Sequence, residues 1–272
     1  MLEEEAGFLA MSLMLDSCVE RARPMLKGGM EMLGGTLESY GNITVSDSMY
    51  AINQLVFEDE ALSMTDYIKC LDVDFDGHEE LLEKVLDLPK FGNDIDEVDE
   101  FAERLNLHLC KLTRAQAKLV DLHHFLIVVI NNSANITLGA HTGASADGRR
   151  DGQPVTNGHT PSTGRDKSGI TALFNSILKL SCQYHAGAVH NIRFAKETLK
   201  KHYSEVVSLV DGYFSLGGAQ CMITITSRDE LEDAIANPQD YGHLLVRLGG
   251  YSARFVDLPK EIQQEVVARN AY

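Results

Sequence analysis

Near the C-terminus, Val246-Arg247-Leu248-Gly249-Gly250-Tyr251-Ser252-Ala253-Arg254-Phe255 follows an apolar, strand-like stretch that begins at Leu244. A basic and an aromatic residue flank its glycine pair. Without a Cβ, glycine can turn the chain through positive φ or let another segment approach closely. It also permits a particular chemistry. A carbon-centred radical at a glycine Cα is planar, unhindered and delocalised over the two flanking amides, which any side chain would disturb. A tight turn after an edge strand accounts for the same string without chemistry, so the rest of the sequence has to decide.

Other residue sets offer further chemistry. Asp72, Asp74, Asp76, Gly77 and Glu83 match the spacing of an EF-hand calcium loop, and their oxygens suit that cation. Glu79, however, stands where paired loops need an apolar residue, and the chain holds no second loop of this kind. Leu81, Leu82, Val85 and Leu86 fit an ordinary amphipathic helix after a turn, which is the expectation. Among ten histidines, His123-His124, His185 and His190 lack ligand spacing with acidic partners on a common face. Structural or surface imidazoles are therefore expected. Asp94, Asp96, Glu97, Asp99 and Glu100 suit the solvated first turn of a helix, where carboxylates face the positive end of the dipole. Cys18-Val19-Glu20 sets a thiol two residues before a carboxylate, inside a stretch that favours helix.

These residues need a scaffold, and 272 residues allow one large domain or two small ones. Such a length buries roughly 75% of the unfolded surface. A net charge of −16 argues against a nucleic-acid partner, because phosphate binding needs a basic patch. Cys18, Cys70, Cys110, Cys182 and Cys221 lie far apart without paired spacing. That pattern fits reduced thiols in a cytoplasm better than disulfides or a zinc site. Met1-Leu2-Glu3-Glu4-Glu5 has the wrong charge for a secretory signal. The run Phe8 to Leu15 is too short for a bilayer. A soluble cytoplasmic location with no membrane contact is expected.

Residues 3–23 favour a helix that is apolar nearly all round, hence buried on several sides. At the start of the chain this suggests that surrounding protein belongs to a missing part or another subunit. An irregular, glycine-rich segment is predicted from Pro24 to about Thr44. Ser46 then caps a helix through Phe57, and Ser63 or Thr65 caps another. A helix over Ile95 to Leu112 and a buried strand over Phe125 to Ile130 follow. Gly139 to Gly169 reads as a long loop, of a length that is usually functional or disordered. Beyond it strands and helices alternate: helix 170–180, strand 188–194, a helix carrying Leu199 to Phe214, strand 220–225, a short helix capped by Ser227, and a final helix from Pro259. The alternation predicts an α/β fold with a partly parallel sheet.

Several blocks, in order, resemble the C-terminal part of glycyl radical enzymes, the pyruvate formate-lyase and glycerol/diol dehydratase superfamily. Thr142 to Pro154, with Asp147-Gly148-Arg149 at its centre, looks like the family's Gly-Ala-Thr-Pro-Asp-Gly-Arg loop, with Ser145 and Ala146 replacing Thr-Pro. Gly164-Arg165-Asp166 and Gly169 continue it. Tyr213-Phe214, Gly217-Gly218 and Gln220 resemble the aromatic-to-Gly-Gly-x-Gln block. Leu231 to Asp233 and Asn237-Pro238-x-x-Tyr241 resemble the short helix after it. Val246 to Phe255 and Glu261 to Arg269 resemble the radical loop and its closing helix.

The resemblance implies an α/β fold: the C-terminal half of a glycyl-radical-enzyme-type barrel with surrounding helices, over residues 1–140, then a glycine radical domain over 141–272. It makes Gly250 the radical carrier, with Arg247 and Tyr251 supporting its loop. No bound cofactor is implied. The radical would be installed by a partner, a radical S-adenosylmethionine activase with an iron–sulfur cluster. The implied reaction is of the lyase or dehydratase type, under anaerobic conditions, through a thiyl radical on a cysteine. Cys18 and Glu20 have the family's thiol-and-base spacing, yet their surroundings look like the helix downstream of the catalytic loop. On that reading the thiyl cysteine lies outside this chain, on an N-terminal half or partner chain; the alternatives left open are a non-catalytic radical-domain partner that docks on an incomplete glycyl radical enzyme and an inactive fragment, and a homodimer is a further open partner. Leu248, Gly249 and Thr224 depart from the family's β-branched residue, small Ala/Ser/Cys and asparagine.

Overall fold

The computed structural model describes residues 8–120, 122–130 and 133–272. The first part of the predicted N-terminal helix, residues 3–7, lies outside them. From Phe8 onward only α1 (Leu9–Ser12) is helical. Positive φ at Ser17 (69°) and Ala22 (51°) breaks the rest into turns. The Ser12 hydroxyl donates to the Phe8 carbonyl and accepts the Met25 N–H at 3.0 Å, folding the segment back on itself. Cys18 and Glu20 therefore occupy turns, not a helix.

The glycine-rich segment that reads as irregular contains a strand, β1 (Gly34–Glu38), parallel to β2 (His124–Val129). Gly34 pairs with His124, and a Cβ at Gly34 would lie 2.0 Å from that imidazole. Close approach explains this glycine. The helix expected from Ser46 begins earlier: α2 runs Asn42–Ile52 and continues as a π-helical turn, Asn53–Glu58. Gly41, at φ 67°, turns the chain into it. Ser46 is a buried interior residue whose hydroxyl donates to the Ile43 carbonyl at 3.0 Å.

Ser63 caps α3 (Met64–Asp72) by accepting the Asp66 N–H, as its residue type favours. α4 (Glu79–Asp87) and α5 (Asp96–Gln116) follow. The α5 face made by Val98, Ala102 and Cys110 enters the main core with Ile127 and Val129 of β2. After β2 and the short α6 (Ala134–Gly139), the chain has no helix or strand until α7 (Ile170–Lys179).

The single strand expected over 188–194 is two. β3 (Gly187–Ala188) joins β2 in the first parallel sheet, ordered β1-β2-β3. β4 (Asn191–Phe194) pairs in parallel with β5 (Met222–Ile225) in a second sheet. Val189 and His190 form the joint between the sheets, and both are buried. Between β4 and β5 lie α8 (Lys196–Lys201) and α9 (Tyr203–Ser215). Ser227 caps α10 (Arg228–Ala236). A hairpin of β6 (Leu245–Leu248) and β7 (Tyr251–Arg254), then α11 (Lys260–Ala268), complete the chain. The fold is α/β with partly parallel pairing. No helix among the described residues is long and apolar enough to cross a membrane.

Candidate functional site

The hairpin pairs Leu245 with Arg254, Val246 with Ala253, Arg247 with Ser252 and Leu248 with Tyr251. Strand alternation puts Val246 and Leu248 on one face. That face is buried against Leu231 and Ala234 of α10, Phe255, and Val266 of α11. Gly249 is buried while Gly250, at the turn, is exposed. Gly250 has φ 102°, and a Cβ there would meet nothing within 4 Å. Backbone conformation therefore favours glycine at this position, whereas crowding does not. The Cα–H stands at an open tip.

The base of the hairpin is held from several sides. The Arg247 N–H donates to Thr224 Oγ1 at 3.0 Å, tying β6 to β5. The Arg247 guanidinium reaches Ser252 Oγ at 3.0 Å and the Met222 sulfur at 3.2 Å. These contacts join β6 to β7 and to β5, while Tyr251, expected with Arg247 to support the loop, is 45% exposed. Thr224 stands out in the sequence only as a replaced asparagine, yet its hydroxyl holds the peptide two residues before the glycine pair.

The C-terminal residues anchor this unit to the rest. Arg269 pairs with Glu265 at 2.7 Å with little solvent around either, and the Arg193 guanidinium donates to the Arg269 carbonyl. Tyr272 exchanges backbone hydrogen bonds with Arg193 and Ala195, and Asn270 donates to Asp166 Oδ1 at 2.7 Å. The Asp166 carboxyl is raised in pKa, foremost by burial.

The loop from Thr142 to Pro154 is organised around one guanidinium. Arg149 donates to the carbonyls of Arg150 (2.9 Å), Gln153 (2.6 Å), Thr142 (3.1 Å) and Gly143, and through Nε to Ser145 Oγ. The Tyr67 hydroxyl donates to the Ala146 carbonyl at 2.6 Å. Arg150 turns outward to Asp74 at 2.8 Å and Asp76 at 2.9 Å, and the Asp151 N–H donates to Asp74 at 2.7 Å. That N–H, with Arg150, holds the Asp74 carboxyl below the usual carboxylate range. Two acids of the calcium-like string are thereby engaged as a clamp on the loop.

Beneath the loop lies a cavity of about 570 Å³, lined among others by Thr44, Lys90, Asp147, Arg149, Asn191 and Arg269. Asp47, fully buried nearby, is pushed up to about 7, chiefly by burial, with the Asp147 charge adding to it; the Phe91 N–H and Lys90 oppose the rise. Burial also pushes the Lys90 amine down. None of the cavity's described lining residues is a cysteine. Cys18 is buried with its sulfur under Gly29, where a Cβ would come within 2.9 Å of it, and Glu20 is exposed. Neither adjoins the open tip at Gly250.

The histidine expectation changes more. His159, from the long loop, meets His190 and Cys182, their ligand atoms within 4.8 Å of one another, with the His185 ring beside them. Their sequence spacing gives no sign of this, because the joint between the sheets creates it.

Comparison with known proteins places this geometry in a lineage. A pyruvate formate lyase-like family model matches residues 1–139, and a glycine radical model matches residues 155–256. The chain belongs to the glycyl radical enzyme family. It is 31% identical to trans-4-hydroxy-L-proline dehydratase of Clostridioides difficile, over 95% of this chain and 33% of that protein. It is 27% identical to isethionate sulfite-lyase of Bilophila wadsworthia (strain 3_1_6), over 98% of this chain and 32% of that protein. The glycerol-bound B12-independent glycerol dehydratase of Clostridium butyricum matches with a TM-score of 0.90 and 33% identity, over 96% of this chain and 34% of that one. The described fold is therefore a portion of a glycyl-radical-enzyme barrel, and the chain spans about a third of the relatives it matches.

Proposed function

We propose that this chain is the radical-carrying part of a glycyl radical enzyme of the lyase or dehydratase type, with Gly250 as the radical residue. The observation that carries the reading is the hairpin tip: a glycine before tyrosine, at φ 102° and open to its surroundings, on a buried and hydrogen-bonded base. A radical S-adenosylmethionine activase, as partner, removes one hydrogen atom from the Gly250 Cα. The two flanking amides delocalise the unpaired electron. The glycyl radical then takes a hydrogen atom from a cysteine S–H, and the resulting thiyl radical takes one from the substrate. The chain itself supplies no bound cofactor to these steps.

The cysteine is proposed to lie on polypeptide other than these 272 residues. Cys18 is enclosed in its own turn, and no cysteine lines the cavity among the described residues. Leu9, Leu13 and Met14 are 68%, 72% and 77% exposed, apolar surface that an N-terminal half or partner chain would cover. The substrate class follows from the relatives only as far as their names go: polyol, hydroxyproline and isethionate elimination.

Anaerobic electron paramagnetic resonance tests the proposal. The chain is incubated with activase, S-adenosylmethionine and reductant, alone and with an oxygen-cleaved glycyl radical dehydratase. A glycyl doublet lost in Gly250→Ala is expected. No doublet in either mixture, with a folded chain and an activase proven on another enzyme, would overturn it. Restored dehydratase activity in the mixture would show that this chain can act as a replacement radical domain.

A further inference from the structure

His159 and His190 are each 1% exposed, and none of their four ring nitrogens has a hydrogen-bond partner among the described residues. A buried polar group left unpaired costs about 1–3 kcal/mol, so two such rings side by side call for a compensating interaction. The third member, Cys182, lies in the turn after α7 and is nearly buried. The four unpaired ring nitrogens of His159 and His190 and the Cys182 sulfur thus converge in one buried spot with no protein partner for the imidazoles among the described residues.

We propose that His159, Cys182 and His190 form a binding site for a divalent transition metal of the zinc class. Two imidazoles and one thiolate suit Zn²⁺, which takes nitrogen and sulfur ligands in a tetrahedron. Bonds of about 2.0–2.3 Å set ligand–ligand edges of roughly 3.3–3.8 Å. The three ligand atoms already lie within 4.8 Å of one another, so closing on the ion needs movement on the order of 1 Å or less. Binding displaces the Cys182 proton to solvent as the S–metal bond forms, which is how a protonated thiol becomes a ligand.

His185 completes the argument from the outer side. Its ring centroid lies 4.9 Å from that of His159. Its Nε2 is hydrogen-bonded to Asn106 Oδ1 at 2.5 Å, while its Nδ1 has no partner among the described residues. Since the Asn106 oxygen can only accept, Nε2 carries the proton and Nδ1 keeps its lone pair. Metal-bound histidines are oriented by such a contact on the other nitrogen. The fourth coordination position goes to His185 or to water.

The site would be structural. The His159 N–H donates to the Val189 carbonyl at 3.2 Å. An ion here would therefore pin the long loop to the end of α7 and to the joint between the two parallel sheets. It is not routed through the radical chemistry, so it can fail or succeed independently of the proposed function.

The test uses the full chain, stripped with chelator under reducing, anoxic conditions and titrated with Co²⁺ alone and with Zn²⁺ alone. Roughly one ion per chain is expected, with a thiolate-to-cobalt charge-transfer band and a Zn²⁺-dependent rise in Tm. Cys182→Ser should remove the band, and His190→Leu should lower Zn²⁺ affinity by more than about tenfold. His185→Ala decides between imidazole and water at the fourth position. If the variants fail to fold, X-ray absorption of the Zn²⁺-loaded wild-type chain decides, with one sulfur and at least two imidazoles expected around zinc. A folded wild-type chain with no cobalt band and no Zn²⁺ effect on Tm would overturn the site. So would folded variants that bind as the wild type does.

Discussion

Gly148 and Gly158, in the loop between α6 and α7, combine positive φ with a lack of room. A Cβ at Gly148 would meet the Leu86 side chain at 2.5 Å, and one at Gly158 would meet the Val189 carbonyl oxygen at 2.4 Å. Gly250 shares the positive φ, at 102°, but its Cβ position is open. In the loop, then, glycine is required by packing as well as by conformation. At the hairpin tip only the conformation asks for it, and the free space around the Cα is what access by another protein needs. The two regions also differ in how they are held. Arg149 binds the loop from within through four carbonyls, whereas the hairpin is held at its base by Thr224 and Arg269 while its tip stays clear.

The largest effect should come from Gly158→Val, which adds backbone strain to a clash with a carbonyl that cannot swing away. A loss of roughly 3–5 kcal/mol in urea unfolding is expected. Gly250→Ala should lose only about 1–2 kcal/mol, and equal losses would break the comparison. Arg149→Met, which strands the carbonyls of Thr142, Gly143, Arg150 and Gln153, should cost about 2–4 kcal/mol. Its effect should concentrate in the loop, visible as amide exchange near residues 142–154 with the hairpin amides unchanged.

Two smaller tests sharpen the contrast. The Asp47 carboxyl is raised from 3.8 to about 7 by burial, so its contribution to stability is fully present below pH 3.8 and is lost as pH rises through about 7. Asp47→Asn keeps an oxygen for the Phe91 N–H and should flatten that part of the pH–stability profile. An unchanged profile would mean that Asp47 is not what titrates. Thr224→Val should cost about 1 kcal/mol, with faster amide exchange at Arg247 as its local signature. If exchange there is unaffected, the hydroxyl does not hold β6.

How much of this was legible from the sequence depended on the range of the interaction. The Ser63 and Ser227 caps, the helix expected from Ile95 and found as α5, and the glycine turn at Gly249-Gly250 are local signals, and each appears where its residue types place it. β1 was hidden because Gly34 and Gly35 carry no strand signal; they are there so that His124 and Phe125 can pack close. From Phe8 onward the predicted N-terminal helix is broken by turns at Ser17 and Ala22, of which an apolar composition says nothing. Arg149 was visible as part of a family-like string, but its four carbonyl contacts depend on how the loop closes. His159, Cys182 and His190 are separated in sequence and meet only because β3 ends one sheet and β4 begins another.

The central claim is that the unpaired electron resides at Gly250 and not at its buried neighbour Gly249. Oxygen cleaves a glycyl radical chain at the radical carbon, so intact-mass and peptide mass spectrometry after anaerobic activation and brief exposure to air locates that carbon directly. The account predicts cleavage of the N–Cα bond of residue 250, with oxygen ending on that carbon: a large fragment whose last residue is the amide of position 249, and a complementary piece carrying the oxidised two-carbon remnant of residue 250 on the nitrogen of Tyr251, both absent from Gly250→Ala and present in Gly249→Ala. Cleavage one residue earlier, with a large fragment ending at Leu248, or fragments that persist in Gly250→Ala, would contradict it.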